Sequence, residues 1–272
     1  MADELIPRID LYLLLNIATE AGEAILEVYD SDFTYEHKDD ATPLTLADTR
    51  SHEIIMLRLK EAYPNIPIIC EESESIPYET RRHWDAFWLV DPLDGTKEFI
   101  KKNGEFTVNI AFIENKHPVV GIVYVPVSNT FYFAKKDCGA FRFVDDGKLQ
   151  AANDIQDILA SARRLPEKGN DRPFTVVTSR SHLSEETEQY ITDLRRQYET
   201  VDVIACGSSL KLCMVAEGKA DIYPRFGPTS EWDISAAHAV VKEAGRGVYA
   251  CQSNKELTYN KESLRNECFV VK

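Results

Sequence analysis

Basic side chains are scarce in this 272-residue sequence: 31 lysines and arginines stand against 45 aspartates and glutamates, a formal net charge of -14. That balance disfavours a nucleic-acid polymer or an anionic membrane as the natural partner. A small phosphate ester is not excluded, because local cations meet its charge and salt screens the wider field beyond about 8 Å. The chain also lacks a C-x-x-C pair, so Cys70, Cys138, Cys206, Cys213, Cys251 and Cys268 read as scattered core or surface thiols. His37, His52, His83, His117 and His238 have no metal-ligand spacing, which argues against zinc. The stretch Met1 to Pro7 has no basic region followed by an apolar one, so secretion is not expected and a reducing cytoplasm is. No run approaches the roughly 18 apolar residues of a membrane span, and the sequence holds no internal repeat or low-complexity tract.

What is present is acid placed at the ends of apolar runs, in a chain whose 44% hydrophobic content supports a substantial core. Phe87 to Val90 reads as a buried strand that Pro92, with no N–H for a sheet ladder, stops just after Asp91. Asp91, Asp94 and the Leu93 carbonyl offer the hard oxygen ligands that Mg²⁺ prefers, and Gly95-Thr96 opens a helix whose free N–H groups suit an anion. A turn in which Asp and Thr merely cap the helix reads the same way. A second apolar strand, Ile66 to Cys70, ends in Glu71-Glu72, with Glu71 the stronger ligand candidate. Thr45-Leu46-Ala47-Asp48 precedes a helix predicted from about Thr49 to Ala62, so Asp48 reads at first as an N-cap. Glu231-Trp232-Asp233 begins another helix that Gly245 ends, and Asp233 alone also reads as a cap.

Taken in order, these pieces resemble the lithium-sensitive, metal-dependent phosphomonoesterases that include inositol monophosphatase and fructose-1,6-bisphosphatase. Glu71 matches the acid of their Glu-Glu motif, Asp91 to Thr96 their Asp-Pro-Ile/Leu-Asp-Gly-Thr motif, Trp232-Asp233 their Trp-Asp motif, and Thr45 to Asp48 their Thr-x-x-Asp element. Lys38-Asp39-Asp40 resembles the loop that helps hold a further metal ion. The resemblance implies two or three Mg²⁺ ions, one on Glu71, Asp91 and the Leu93 carbonyl, the second on Asp91, Asp94 and Asp233. It further implies that Thr96, oriented by Asp48, accepts or relays the proton of an attacking water, while the Gly95 and Thr96 N–H groups hold phosphate oxygens. Glu71, Leu93, Asp94, Gly95, Thr96 and Asp233 thereby also border the substrate.

Within that superfamily, Lys97-Glu98-Phe99-Ile100, Ser179-Arg180-Ser181-His182 and Tyr223 to Pro228 are most similar to the 3'(2'),5'-bisphosphate nucleotidases of bacterial sulfur metabolism. The implied substrate is a small phosphorylated nucleotide, adenosine 3',5'-bisphosphate. The implied enzyme is a cytoplasmic monomer or homodimer, of a group whose members can sit peripherally at the inner membrane. His182, Ser208, Lys211 and Arg225 are the candidate nucleotide contacts, although an exposed loop histidine and an ordinary Gly-Ser-Ser cap would read alike. An inositol or sugar phosphatase would share every metal ligand. A haloacid-dehalogenase reading fails at Pro92, which stands where the nucleophilic Asp should be, and a non-catalytic nucleotide-binding regulator would have no need of all six acidic and Thr positions.

Close strand spacing from Ile66 to Ala134 predicts an antiparallel meander, and strand and helix alternate after Phe174. The expected division is an α+β half over residues 1–150 with most metal ligands, and an α/β half over 151–272 with Asp233 and the recognition residues. By resemblance the halves stack as a layered αβαβα sandwich.

Overall fold

Asp10 caps the first helix, accepting the Tyr12 and Leu13 N–H groups at 2.9 and 3.3 Å, so α1 spans Leu11–Tyr29. Its apolar face, Leu14, Ile17, Ala18, Ala21, Ile25 and Val28, recurs at helical spacing and is buried. The structure, a computed structural model, describes residues 8–31, 43–167, 172–180 and 184–272. Helix α2, Pro43–Ala62, packs along α1, and Arg50 and Arg58 pair across to Glu27 and Glu20. It begins six residues before the predicted Thr49. Proline suits the first helical position, so Pro43 opens the helix and Asp48 lies inside it, not at its cap.

Seven strands follow in spatial order as in sequence: β1 Ile68–Cys70, β2 Ala86–Asp94, β3 Thr107–Glu114, β4 His117–Val125, β5 Thr130–Lys135, β6 Gly139–Val144 and β7 Arg163–Leu165. Short helices α3 Tyr78–Arg81, α4 Thr96–Ile100, α5 Lys148–Ala151 and α6 Ile155–Leu159 interrupt them. The meander is antiparallel from β2 onward, but β1 pairs with β2 in parallel, a departure from the predicted pattern. Pro92 does not end β2 either. The register shifts between Asp91 and Asp94, so the proline sits where no ladder N–H is needed and pairing resumes at Asp94 with Thr107. This sheet continues past residue 150 to Leu165.

The period-2 alternation of the central strands makes two cores. Trp88, Val90, Val108, Ile110 and Phe112 face α1 and α2, whereas Phe87, Leu89, Ala111 and Ile113 face the other way. That second face is covered by α8, Leu210–Glu217, and α9, Glu231–Glu243, which follow β8 Phe174–Ser179, α7 Glu185–Arg195 and β9 Val201–Cys206. Strand β10, Tyr223–Arg225, lies between the two helices in sequence, and Ile222 just before it bridges to Val176. Strands β11 Val248–Ala250 and β12 Phe269–Val271 complete the chain, with β12 central between β10 and β11. Helix α7 closes the far side through Ile191 and Leu194 against Val176 and Ile222. The layers therefore run α1/α2, seven-stranded sheet, α8/α9, the smaller sheets, and α7: an αβαβα sandwich.

Candidate active site

Because β1 and β2 run parallel side by side, their C-terminal ends carry Glu71 and Asp91 to one edge, where the Glu71 N–H donates to the Val90 carbonyl at 3.2 Å. The bulge after Asp91 is fixed from two directions: Ser51 of α2 donates to the Pro92 carbonyl at 2.8 Å, and the Leu93 N–H donates to Asp91 Oδ1 at 3.1 Å. The Leu93 side chain is committed to the core. From the opposite layer, α9 brings Asp233 in its first turn, where its Oδ2 accepts the Ser230 N–H at 2.9 Å. The N-cap itself is Ser230, not Asp233; Asp233 is the third helical residue and closes a capping box with it, and its carboxylate also reaches the strand ends. Carboxylate oxygens of Glu71, Asp91 and Asp233 all lie within 4.8 Å of one another.

Such a cluster is unfavourable without a counter-charge. Burial, then Asp94, Glu71 and Asp233, hold the Asp91 carboxyl well above the ordinary range. Burial and Asp94 push Asp233 up to about 7, and burial with Glu72 and Glu71 pushes Asp48 up to about 8. Asp94 is also raised by burial, opposed by Lys211 and by hydrogen bonds from Ser209. Among the described residues no lysine or arginine forms an ion pair with Glu71, Asp91 or Asp233. The donor set is all carboxylate oxygen, the hard ligand type that Mg²⁺ prefers. Three carboxylates whose oxygens lie within 4.8 Å of one another, with no basic partner among the described residues, fit a hard divalent cation.

Beside the cluster opens a cavity of about 180 Å³ whose wall includes Asp94, Asp233, Thr96, Ser208, Lys211 and Arg225. Gly95 has φ +94°, which lets the chain turn sharply from β2 into α4 and leaves Thr96 exposed at the mouth. Lys211 is 7% exposed and donates from Nζ to the Ser208 carbonyl at 2.6 Å. Arg225 donates from Nη2 to the Pro228 carbonyl at 3.1 Å, and its buried Nε has no hydrogen-bond partner among the described residues. The cavity thus carries two cationic groups beside the acids. His182 and Lys38 to Asp40 lie outside the described residues.

Sequence reasoning missed the residues that join the layers. Ser209 Oγ donates to the Asp233 carbonyl at 2.5 Å and accepts from Asn109 Nδ2 at 3.0 Å. Thr107 Oγ1 lies 3.4 Å from Ser208 Oγ. A signal was present: Thr107 and Asn109 are polar at alternate positions of an otherwise apolar strand, which marks a single sheet face with polar business beneath it.

Residues 11–267 match the inositol monophosphatase family. The 3'(2'),5'-bisphosphate nucleotidase CysQ of Salmonella typhimurium is 43% identical over 264 residues, which cover 94% of this chain and 96% of that protein. The CysQ of Bacteroides thetaiotaomicron, a bacterial member of the inositol monophosphatase family, superposes with a TM-score of 0.88 at 44% identity over 95% of each chain. An inositol monophosphatase from Zymomonas mobilis shares the fold, with a TM-score of 0.71 at 20% identity over 95% of this chain and 91% of its own. The match runs from the first helix almost to the final strand and takes in every acid gathered at the cavity, so the chain belongs to the inositol monophosphatase family.

Proposed function

We propose that this protein is a divalent-metal-dependent phosphomonoesterase that hydrolyses the 3'-phosphate of adenosine 3',5'-bisphosphate to AMP and phosphate, clearing a by-product of sulfate assimilation. One observation carries the reading: the cavity bordered by the acidic groups Asp94 and Asp233 is also bordered by Lys211 and Arg225, so a scissile phosphate and a second anionic group fit the same space. The similarity to the nucleotidases supports the nucleotide as the body between them.

Glu71, Asp91, the Leu93 carbonyl, Asp94 and Asp233 are the proposed ligands of two or three Mg²⁺ ions. Such ions supply positive charge to the phosphate ester and acidify an attacking water. The Thr96 hydroxyl, at the cavity mouth, hands the water proton toward Asp48, whose raised affinity for a proton suits a base working near neutral pH. The Gly95 and Thr96 N–H groups orient the phosphate oxygens. Lys211 and Arg225 bind the second phosphate, with Ser208 closing the wall and His182 a further candidate contact. Six unpaired cysteines suit a reducing cytoplasm, and no helix among the described residues is long and apolar enough to cross a membrane.

A phosphate-release panel over adenosine 3',5'-bisphosphate, inositol 1-phosphate and fructose 1,6-bisphosphate, with and without Mg²⁺, tests the reading. The bisphosphonucleotide should give the highest kcat/KM. A preference for inositol 1-phosphate assigns the inositol phosphatase alternative instead.

A further inference from the structure

Glu105, in the segment between α4 and β3, reaches across the layers to the turn that precedes α8. Its Oε2 accepts the Gly207 N–H at 2.8 Å and the Arg180 Nε at 2.8 Å, and its Oε1 accepts Arg180 Nη2 at 2.6 Å. Arg180 also donates from Nη2 to the Ala205 carbonyl at 2.8 Å, so the ion pair straps the end of β9 as well. The Glu105 N–H is itself held by Asn103 Oδ1 at 3.0 Å. Its backbone is wedged between two glycines: a Cβ at Gly95 would stand 3.0 Å from the Glu105 carbonyl oxygen, and one at Gly207 would stand 2.9 Å from it. Next to Gly207, Ser208 is held at φ +42°, a left-handed conformation that costs a non-glycine residue energy and persists only when its surroundings impose it. That same Ser208 offers its carbonyl to Lys211 Nζ.

We propose that Glu105 is a positioning residue for substrate recognition: its carboxylate, by accepting the Gly207 N–H, fixes the Gly207–Ser208 turn against the Gly95–Thr96 turn and so sets where Lys211 stands relative to Asp94. This deepens the nucleotidase reading and rests on it. The hydrogen bond to Gly207 is the operative contact. The Arg180 side chain is 43% exposed, and solvent-exposed ion pairs contribute little, so the strap through Arg180 supports the carboxylate's orientation and is secondary. Loss of the acceptor leaves the Gly207 N–H without its charged partner and lets Ser208 relax out of its left-handed conformation. The Lys211 ammonium, tethered to the Ser208 carbonyl, then shifts with it.

Three variants separate the contributions. Glu105→Ala removes the acceptor, Glu105→Gln keeps an amide oxygen for the Gly207 N–H without the charge, and Arg180→Ala removes only the strap. For adenosine 3',5'-bisphosphate, Glu105→Ala is expected to raise KM about tenfold or more while kcat changes less than about threefold; Glu105→Gln and Arg180→Ala are expected to stay within about threefold of wild type in both. Amide exchange at Gly207 in the ligand-free protein is expected to speed up at least about tenfold in Glu105→Ala and to stay near wild type in Glu105→Gln. The proposal is overturned if Glu105→Ala leaves KM unchanged, if kcat falls as much as KM rises, or if Glu105→Gln is as impaired as Glu105→Ala. A wild-type protein that ignores the bisphosphate defeats the nucleotidase reading separately, and exchange at Gly207 then decides whether the clamp exists. If Glu105→Ala does not fold, the Glu105→Gln and Arg180→Ala results still decide, since a KM rise of tenfold in either contradicts the ranking.

Discussion

Ser209 donates its hydroxyl to the Asp233 carbonyl at 2.5 Å while Asp233 turns its carboxylate toward Asp91 and Glu71. One side chain thus couples the first turns of α8 and α9. It also takes the Asn109 amide from the central sheet, so α8, α9 and β3 meet at a single oxygen. The acids are therefore brought together by packing between the sheet and the α8/α9 layer.

Ser209→Ala should therefore cost more than an average surface change. A buried hydrogen-bond network that loses its middle member leaves the Asn109 amide without its partner and removes the link to the Asp233 carbonyl, at about 1–3 kcal/mol. Chemical denaturation should report that loss, together with weaker Mg²⁺ affinity. Unchanged stability and affinity would show that the two helices are held without it.

Asp91→Asn separates stability from function. Replacing a buried carboxylate that Asp94, Glu71 and Asp233 all disfavour should leave the chelated protein as stable as wild type or more so. The rise in Tm on adding Mg²⁺ should vanish, and turnover should fall by orders of magnitude. A variant that is less stable without metal, or that still responds to Mg²⁺, would remove Asp91 from the metal ligands.

The acidic cluster fixes a pH dependence. Asp233 and Asp48 have folded-state pKa values raised to about 7 and about 8, against an unfolded value of about 3.9. In that window the folded chain holds more protons than the unfolded one, so this stabilising contribution is full below about pH 4 and is lost as pH rises through 7 to 8. Metal binding displaces the same protons, so stabilisation by Mg²⁺ should grow with pH. Thermal unfolding of chelated and Mg²⁺-loaded protein at pH 5.5 and 8.5 checks the sign. A metal shift in Tm that is larger at the lower pH is the contrary result.

Helix α9 lies so close to β4 that a Cβ at Gly121 would overlap the Ala236 carbonyl oxygen. Gly121→Ala should push α9, and Asp233 with it, off the sheet. The expected cost is about 1–3 kcal/mol, the range of overpacked cores, with metal affinity falling in parallel. Full affinity in a destabilised variant would mean that the N-terminus of α9 is placed by Ser209 and the Ser230 cap instead.

Glu71 and Asp91 were legible in the sequence because each stands at the abrupt end of an apolar run, and Asp48 and Asp233 because they stand near helix starts; both are local properties. Asp48 was misplaced in its element because Pro43 opens α2 six residues earlier than the apolar pattern does, yet its place in the site did not depend on its being a cap. Pro92 was misread as a stop because a bulge, which lets a proline sit inside a strand, depends on the partner strand and has no local signature. The parallel pairing of β1 with β2, the Ser209 link and the Glu105 strap all join residues far apart in the chain. Only the polar pair Thr107 and Asn109 hinted at them.

The central claim is that the acids around Asp91 and the cations around Lys211 serve one bisphosphorylated substrate. Its most direct test is phosphate release from adenosine 3',5'-bisphosphate by wild-type protein and by Lys211→Ala, each with Mg²⁺ and with excess chelator, beside the monoester inositol 1-phosphate. Mg²⁺-dependent release is predicted from the bisphosphate, abolished by chelator, with a KM that Lys211→Ala raises at least about tenfold for the bisphosphate and far less for the monoester. Release that survives chelation, or a Lys211→Ala defect equal for both substrates, would contradict it.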